Sequence, residues 1–182
     1  LKGTIEWFAT RGAMNMEGLG PEWIAQFVDR GYVQSLPDLY DLKKEQLLKL
    51  DRMGEKLAQN LLDAIAKSKT ATLPRFLNGL GIRQVGEATA NALADHFHEV
   101  AKVMDASIEE LQSVADVGPV VAQCIHDFFR RKENRDAVDR LLKSVTLKKA
   151  QVKSRLFAGQ VVCFTGGIES MSRMPYLVDA AD

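Results

Sequence analysis

Apolar residues in this chain recur at helical spacing, and glycine interrupts the recurrence at regular intervals. Trp23, Ile24, Phe27 and Val28 fall on one helix face. So do Leu57, Ala58, Leu61, Leu62 and Ile65, then Ala88, Ala90, Leu93, Ala94 and Phe97, then Val120, Val121, Ala122, Ile125, Phe128 and Phe129. Each stretch starts just after a glycine: Gly20, Gly54, Gly86 and Gly118, at separations of 34, 32 and 32 residues. Each glycine directly follows an apolar residue, with another apolar residue four positions before it. The pairs are Met16 and Leu19, Leu50 and Met53, Ile82 and Val85, and Val114 and Val117. A fixed period of this size marks a repeated supersecondary unit. The pattern predicts two helices joined by a tight glycine turn, four times over.

Local signals set the limits of each unit. Residues 1–20 read as a helix, marked by Thr4 to Ala9 and running into the first turn. Pro21 suits a first helical position, and Gly31 a C-terminal cap. The second unit spans Leu39 to Lys67, with Leu47 and Leu50 on one face ahead of its turn. The third runs from about Leu73 to Val103, and His96-Phe97-His98 reads as a helix end. The fourth opens with Ser107-Ile108-Glu109-Glu110, a capping box that fixes a helix start. A last helix is expected over Asn134 to Ser144. Units two and four align with an offset of 64: Leu47 with Leu111, Leu50 with Val114, Ala58 with Ala122, Leu61 with Ile125. The small alanines suit helices that must approach closely across a short turn. Trp7, Trp23 and Phe27 read as core.

The pattern changes after residue 145. Lys148 to Arg155 is basic and polar, and Gln160 to Gly167 reads as a buried strand ending in glycines. The expected organisation is a helical domain at 1–146, a connector at 147–156, and at 157–182 the start of a second domain too short to bury a core alone. The expected fold is all-α, a tandem array of four hairpins followed by a truncated α/β segment. The chain opens at Leu1, as an internal piece of a longer protein would.

Composition narrows the chemistry. The 182 residues carry 24 basic and 24 acidic side chains, which excludes a polycation that grips its partner by bulk charge. Two cysteines, Cys124 and Cys163, make neither a metal-ligand spacing nor a disulfide framework, as suits a reducing cytosol. No run of about 18 apolar residues exists to cross a membrane. What stands out is the turn. A hairpin of this kind leaves N–H groups unpaired at the start of its second helix, with the positive end of the helix dipole behind them. Such donors form an anion site. Glycine there serves in one of two ways: a side chain would block the phosphate, or the backbone angles forbid one. Phosphates held this way carry no base information, so the expected partner is duplex nucleic acid bound without regard to sequence.

The turns differ two residues before each glycine: Gly18, Arg52, Gln84 and Asp116. Arg52 and Lys56 flank the second turn and Arg83 the third, whereas Asp116 repels phosphate unless it caps its own helix. The expected ranking puts turns two, three and one together, ahead of turn four. Arg11, Arg75, Lys67 and Lys69 are candidates for further phosphate contacts, though such residues are ordinarily just solvated surface.

Thr10 to Gly20, Arg52 to Lys56 with Ala58 to Leu61, Leu80 to Ala90, and Val114 to Ala122 closely resemble the hairpins that follow the zinc finger in bacterial NAD-dependent DNA ligases. Phe157 to Gly166, with Glu169 to Arg173, is similar to the start of their BRCT domain, although Met174-Pro175-Tyr176 departs from it. The resemblance implies an enzyme that seals nicks in DNA replication and repair through adenylate intermediates. Its parent would use NAD and a divalent metal such as Mg2+, with zinc in an upstream finger. It would be cytoplasmic and nucleoid-associated. The implied partners are nicked double-stranded DNA and the remaining ligase domains. The implied DNA-binding positions are Gly18, Leu19, Gly20, Arg52, Met53, Gly54, Lys56, Arg83, Val85, Gly86 and Gly118. No Lys-x-Asp-Gly sequence occurs, so this stretch is expected to bind DNA, to hold no cofactor and to catalyse nothing alone. The alternatives are a helix-hairpin-helix module of another repair or recombination protein, and a helical interaction domain of the sterile-alpha-motif type. The second of these requires no glycine at all four turns.

Overall fold

A computed structural model describes residues 1–148, and the strand and domain start expected beyond them lie outside the described residues. The helices are α1 (Lys2–Ala9), α2 (Pro21–Asp29), α3 (Lys44–Leu47) and α4 (Glu55–Ser68). A short strand, β1 (Thr70–Thr72), precedes α5 (Leu73–Gly79), α6 (Glu87–Phe97), α7 (Val100–Asp105) and α8 (Ile108–Gln112). Then come α9 (Pro119–Arg130), α10 (Lys132–Ser144) and a second strand, β2 (Thr146–Lys148). A 3-10 turn at Leu36–Asp41 completes the set. The fold is mostly helical, as expected, with one small addition. β1 and β2 pair in parallel, Ala71 opposite Leu147, so Leu147 and Lys148 join the fold rather than the connector.

Four local signals act as the sequence indicates. Pro21 occupies a first helical position, and Gly31 takes φ +72 just beyond α2. His98 ends α6 in the left-handed region, a strained position for a residue with a side chain. Ser107 accepts from Glu110 N at 3.2 Å while Glu110 Oε2 accepts from Ser107 N at 2.8 Å. This exchange satisfies donors at both ends of the first turn of α8.

Two expectations fail. α1 does not run into the first turn; it stops at Ala9, and Thr10 is extended at φ −62, ψ 162. The Thr10 hydroxyl donates back to Trp7 O at 2.7 Å, offering the backbone a partner in place of the next helical turn. Trp7 is 45% exposed rather than core, its indole N–H donating to Asn78 O at 2.7 Å. Phe27 is fully buried and Trp23 partly so.

One core runs through the described residues. Leu47, Leu111, Ala58, Ala122 and Ile125 are all wholly buried, so the equivalent positions of units two and four carry equivalent packing. Within the first two hairpins the contacts are reciprocal. Gly18 of the first turn lies against Leu61 of α4, while Asp51 N of the second turn donates to Gln26 Oε1 of α2 at 3.1 Å. Arg30, just beyond α2, adds a bond to Lys49 O at 2.7 Å. Each turn thus leans on the second helix of its neighbour, the arrangement of a local two-fold. The later hairpins repeat half of it: Arg83 of the third turn shares a cleft with Cys124, Asp127 and Phe128 of α9 and with Arg131 just beyond it.

Candidate nucleic-acid interface

All four turns are built alike. The residue before each glycine donates its N–H three residues back: Leu19 to Met16 O, Met53 to Leu50 O, Val85 to Ile82 O and Val117 to Val114 O, at 3.0 to 3.3 Å. All eight of these apolar side chains are buried. They pin the turn to the core and leave its other residues outside. Leu19, Met53 and Val85 therefore anchor the turn. Their side chains are buried and their N–H groups are already bonded within the turn.

The third position of every turn is left-handed: Gly18 at φ +83, Arg52 at +64, Gln84 at +66 and Asp116 at +62. Turns with this kink at their third residue favour glycine there. Only the first turn has it. The other three hold a side chain at a cost of order 1 kcal/mol each.

The periodic glycine behaves in the opposite way. Gly20, Gly54, Gly86 and Gly118 have φ of −86, −87, −102 and −79, extended backbone that any residue adopts. A Cβ added at any of them would meet nothing within 4 Å. Of the two reasons offered for glycine, forbidden backbone angles are thus eliminated. Neither conformation nor internal packing asks for glycine at these four places. What a side chain would occupy is the space in front of the helix.

Each glycine is the N-terminal cap of its following helix, and none of the four helices has a side-chain cap. Asp116 therefore does not cap α9. Among the described residues, the N–H groups of Gly54, Glu55, Lys56 and Leu57 find no partner, nor do those of Gly86, Glu87, Ala88 and Thr89. The fourth turn offers Gly118, Val120 and Val121, since Pro119 has no N–H. At the first turn Gly20 N is spent on Gly18 O, Pro21 lacks a donor and Trp23 N bonds Gly20 O, which leaves Glu22 alone. The helices behind the turns are 9, 14, 11 and 12 residues long, enough for a developed dipole. By donors, turns two and three lead, four follows and one is poorest. Sequence reasoning missed this demotion of the first turn, although Pro21 was a visible signal of a missing donor.

Arg52, Lys56 and Arg83 are exposed around the two richest turns, and Gly18, Gly54, Gly86 and Gly118 are exposed with them. Arg75 is different: its Nε donates to Ala13 O at 2.9 Å and its Nη2 to Arg11 O at 2.6 Å. Two of its donors are committed within the protein.

Comparison with known proteins groups the four turns in two pairs. A family model for the helix-hairpin-helix motif matches residues 75–138, and one for a SAM-like helix-hairpin-helix tandem matches residues 12–67. The first covers turns three and four, the second turns one and two. The DNA ligase of Coxiella burnetii (strain CbuK_Q154) is 46% identical over 176 residues, 95% of this chain and 26% of that protein. The DNA ligase of Koribacter versatilis (strain Ellin345) is 47% identical over 175 residues, with the same shares. The chain thus spans about a quarter of the length of these relatives, and it is similar to them almost from end to end.

Proposed function

We propose that this chain is the duplex-gripping portion of an NAD-dependent, nick-sealing DNA ligase. It binds the phosphate backbone through the amides at its helix starts and leaves the chemistry to the rest of the enzyme. The observation that carries this reading is the set of four capping glycines with ordinary backbone angles and empty space where a side chain would stand. Four positions in register that carry glycine for no internal reason are explained by a surface that comes close from outside. Unpaired N–H groups at the head of a helix dipole make that surface an anion.

Gly54 with Arg52 and Lys56, and Gly86 with Arg83, are the main grips; Gly118 is the next, and Gly18 and Gly20 supply the weakest. Amide contacts to phosphate position a protein on a duplex without reading its sequence. Reciprocal hairpins suit the two antiparallel strands, because a local two-fold in the protein matches the one in the duplex. The similarity to DNA ligases supplies the nick and the adenylate chemistry of the parent in replication and repair. NAD, the divalent metal and the zinc finger are assigned to its other parts. This chain has no Lys-x-Asp-Gly sequence, and among the described residues no group of three His, Cys, Asp or Glu side chains could hold a metal. On this reading residues 157–182, outside the described residues, begin a BRCT domain, and the enzyme works in the cytoplasm at the nucleoid. Among the described residues no helix is long and apolar enough to cross a membrane.

Titration of the chain with nicked, intact and single-stranded DNA at several salt concentrations tests the reading. Duplex binding is expected, with a slope of log K against log salt equivalent to a few phosphates. No binding to any duplex at low salt would overturn it.

A further inference from the structure

The first turn is approached by a loop, Thr10 to Asn15, and three consecutive carbonyls of that loop are captured by side chains of α5. The Arg75 fork takes the carbonyls of Arg11 and Ala13, and Asn78 Nδ2 donates to the one between them, Gly12 O, at 3.0 Å. Trp7 returns the contact through Asn78 O. Packing is close at the same place. A Cβ on Gly79 would come within 3.2 Å of the Phe8 ring and 3.3 Å of the Ala13 side chain. Gly79 is the last residue of α5, and its missing side chain is what lets Phe8 and Ala13 come this close. The loop leads directly into turn one and α5 directly into turn three. The contact therefore joins the first hairpin pair to the second.

We propose that Arg75 and Asn78 form a lock that sets the position of one hairpin pair against the other, and that Arg75 is a positioning residue for duplex binding. The geometry of the lock stands alone; its consequence for DNA rests on the function proposed above. The chain already makes the second grip an intramolecular event, and holding the two grips at fixed spacing removes the ordering cost, which raises affinity without any new contact. The planar guanidinium is needed because its donors span two carbonyls at once. An ammonium of equal charge does not.

Arg75→Lys separates positioning from charge, with Arg75→Met beside it. In a Cys124→Ser, Cys163→Ser background, spin labels at exposed Glu45 and Lys102 measure the distance between the two pairs without DNA. A single narrow distribution is expected for the parent, broadened or shifted alike by Lys and by Met. Affinity for a nicked duplex long enough for both pairs is expected to fall roughly tenfold in both variants. It should be unchanged on a duplex that reaches only one pair. A Lys variant that matches the parent in distance and affinity overturns the lock. If the parent itself binds no duplex, the proposed function falls while the spin-label distances still decide the lock. Should either Arg75 variant lose its helical circular dichroism, Gly79→Ala crowds the same joint without changing charge. It is expected to broaden the distance distribution, and an unchanged distribution again overturns the proposal.

Discussion

The second turn and the first share a period, an anchor pair and a glycine cap, yet they differ in what they can hold. Turn two offers the N–H groups of Gly54, Glu55, Lys56 and Leu57; turn one offers that of Glu22. Turn one has glycine at its left-handed position, where the backbone wants it, and turn two has Arg52 there at φ +64. The first is thus the more relaxed turn and the poorer anion site. The second keeps a strained residue whose side chain is cationic and exposed. Strain persists where something else repays it, and at turn two a phosphate is a fitting partner.

The largest expected effect exploits this difference directly. Gly54→Asp and Gly86→Asp each place a carboxylate in front of four unpaired amides, and each should weaken duplex binding by roughly tenfold or more. Circular dichroism should be unchanged, since the added side chain meets nothing in the protein. Gly20→Asp, the same change at the poor turn, should cost at most about twofold, because only one donor is lost to it. Equal losses at all three positions would mean that donor count does not rank the turns. Next in size is a gain. Asp116→Arg replaces the anion of turn four by a cation beside three unpaired donors, and duplex affinity at low salt should rise by about threefold to tenfold. The salt slope should steepen by about one phosphate. An unchanged slope would show that turn four never reaches the backbone.

The left-handed position gives a third contrast, read as stability. Gly18→Ala forces a Cβ into φ +83 and toward Leu61, and should cost about 1 kcal/mol in denaturant unfolding. Gln84→Gly relieves the same strain in turn three and should gain up to about 0.5 kcal/mol, part of the relief being offset by the entropy of glycine. A loss on Gln84→Gly would show that the Gln84 side chain stabilises its turn.

These contrasts also mark where the sequence runs out. The turns were legible because each needs two buried apolar residues at fixed spacing, as Leu50 and Met53 are before Gly54. The helix starts were legible at Pro21 and Ser107 because caps are local chemistry. The left-handed conformations of Arg52, Gln84 and Asp116 were not, since nothing in those side chains asks for positive φ. The end of α1 was hidden for a different reason. Thr10 and Gly12 only permit a break, and Arg75 and Asn78, more than 60 residues on, supply the partners that fix it. The pairing of Thr70–Thr72 with Thr146–Lys148 is likewise tertiary. Three residues are too few for an alternating pattern to show.

The smallest expected effect compares the elements that link the two hairpins within each pair. Leu36–Asp41 in the first pair corresponds, at the offset of 64, to α7 in the second. The first opens with the Asp38 carboxylate reaching back to accept from Ser35, whereas α7 shows no such side-chain bond at its start. Asp38 Oδ2 accepts from Gln34 N, Ser35 N and Ser35 Oγ, and its Oδ1 accepts from Arg140 Nη2 at 2.7 Å. Desolvation pushes the carboxyl pKa up, but Arg140 first and then these donors outweigh it, and the pKa lies below the ordinary value. A carboxylate with a lowered folded pKa contributes stability above its unfolded pKa and loses it as pH falls through the folded one. Asp38 should therefore stabilise at neutral pH and cease to do so in the acid range, below the usual carboxylate pKa of about 4. Asp38→Asn should lower stability by about 1 kcal/mol at pH 7, and the gap to the parent should close as the pH drops toward 3. Thermal unfolding of both proteins across that range measures it. A gap that stays constant with pH would assign the whole effect to the shape of the cap and none to its charge.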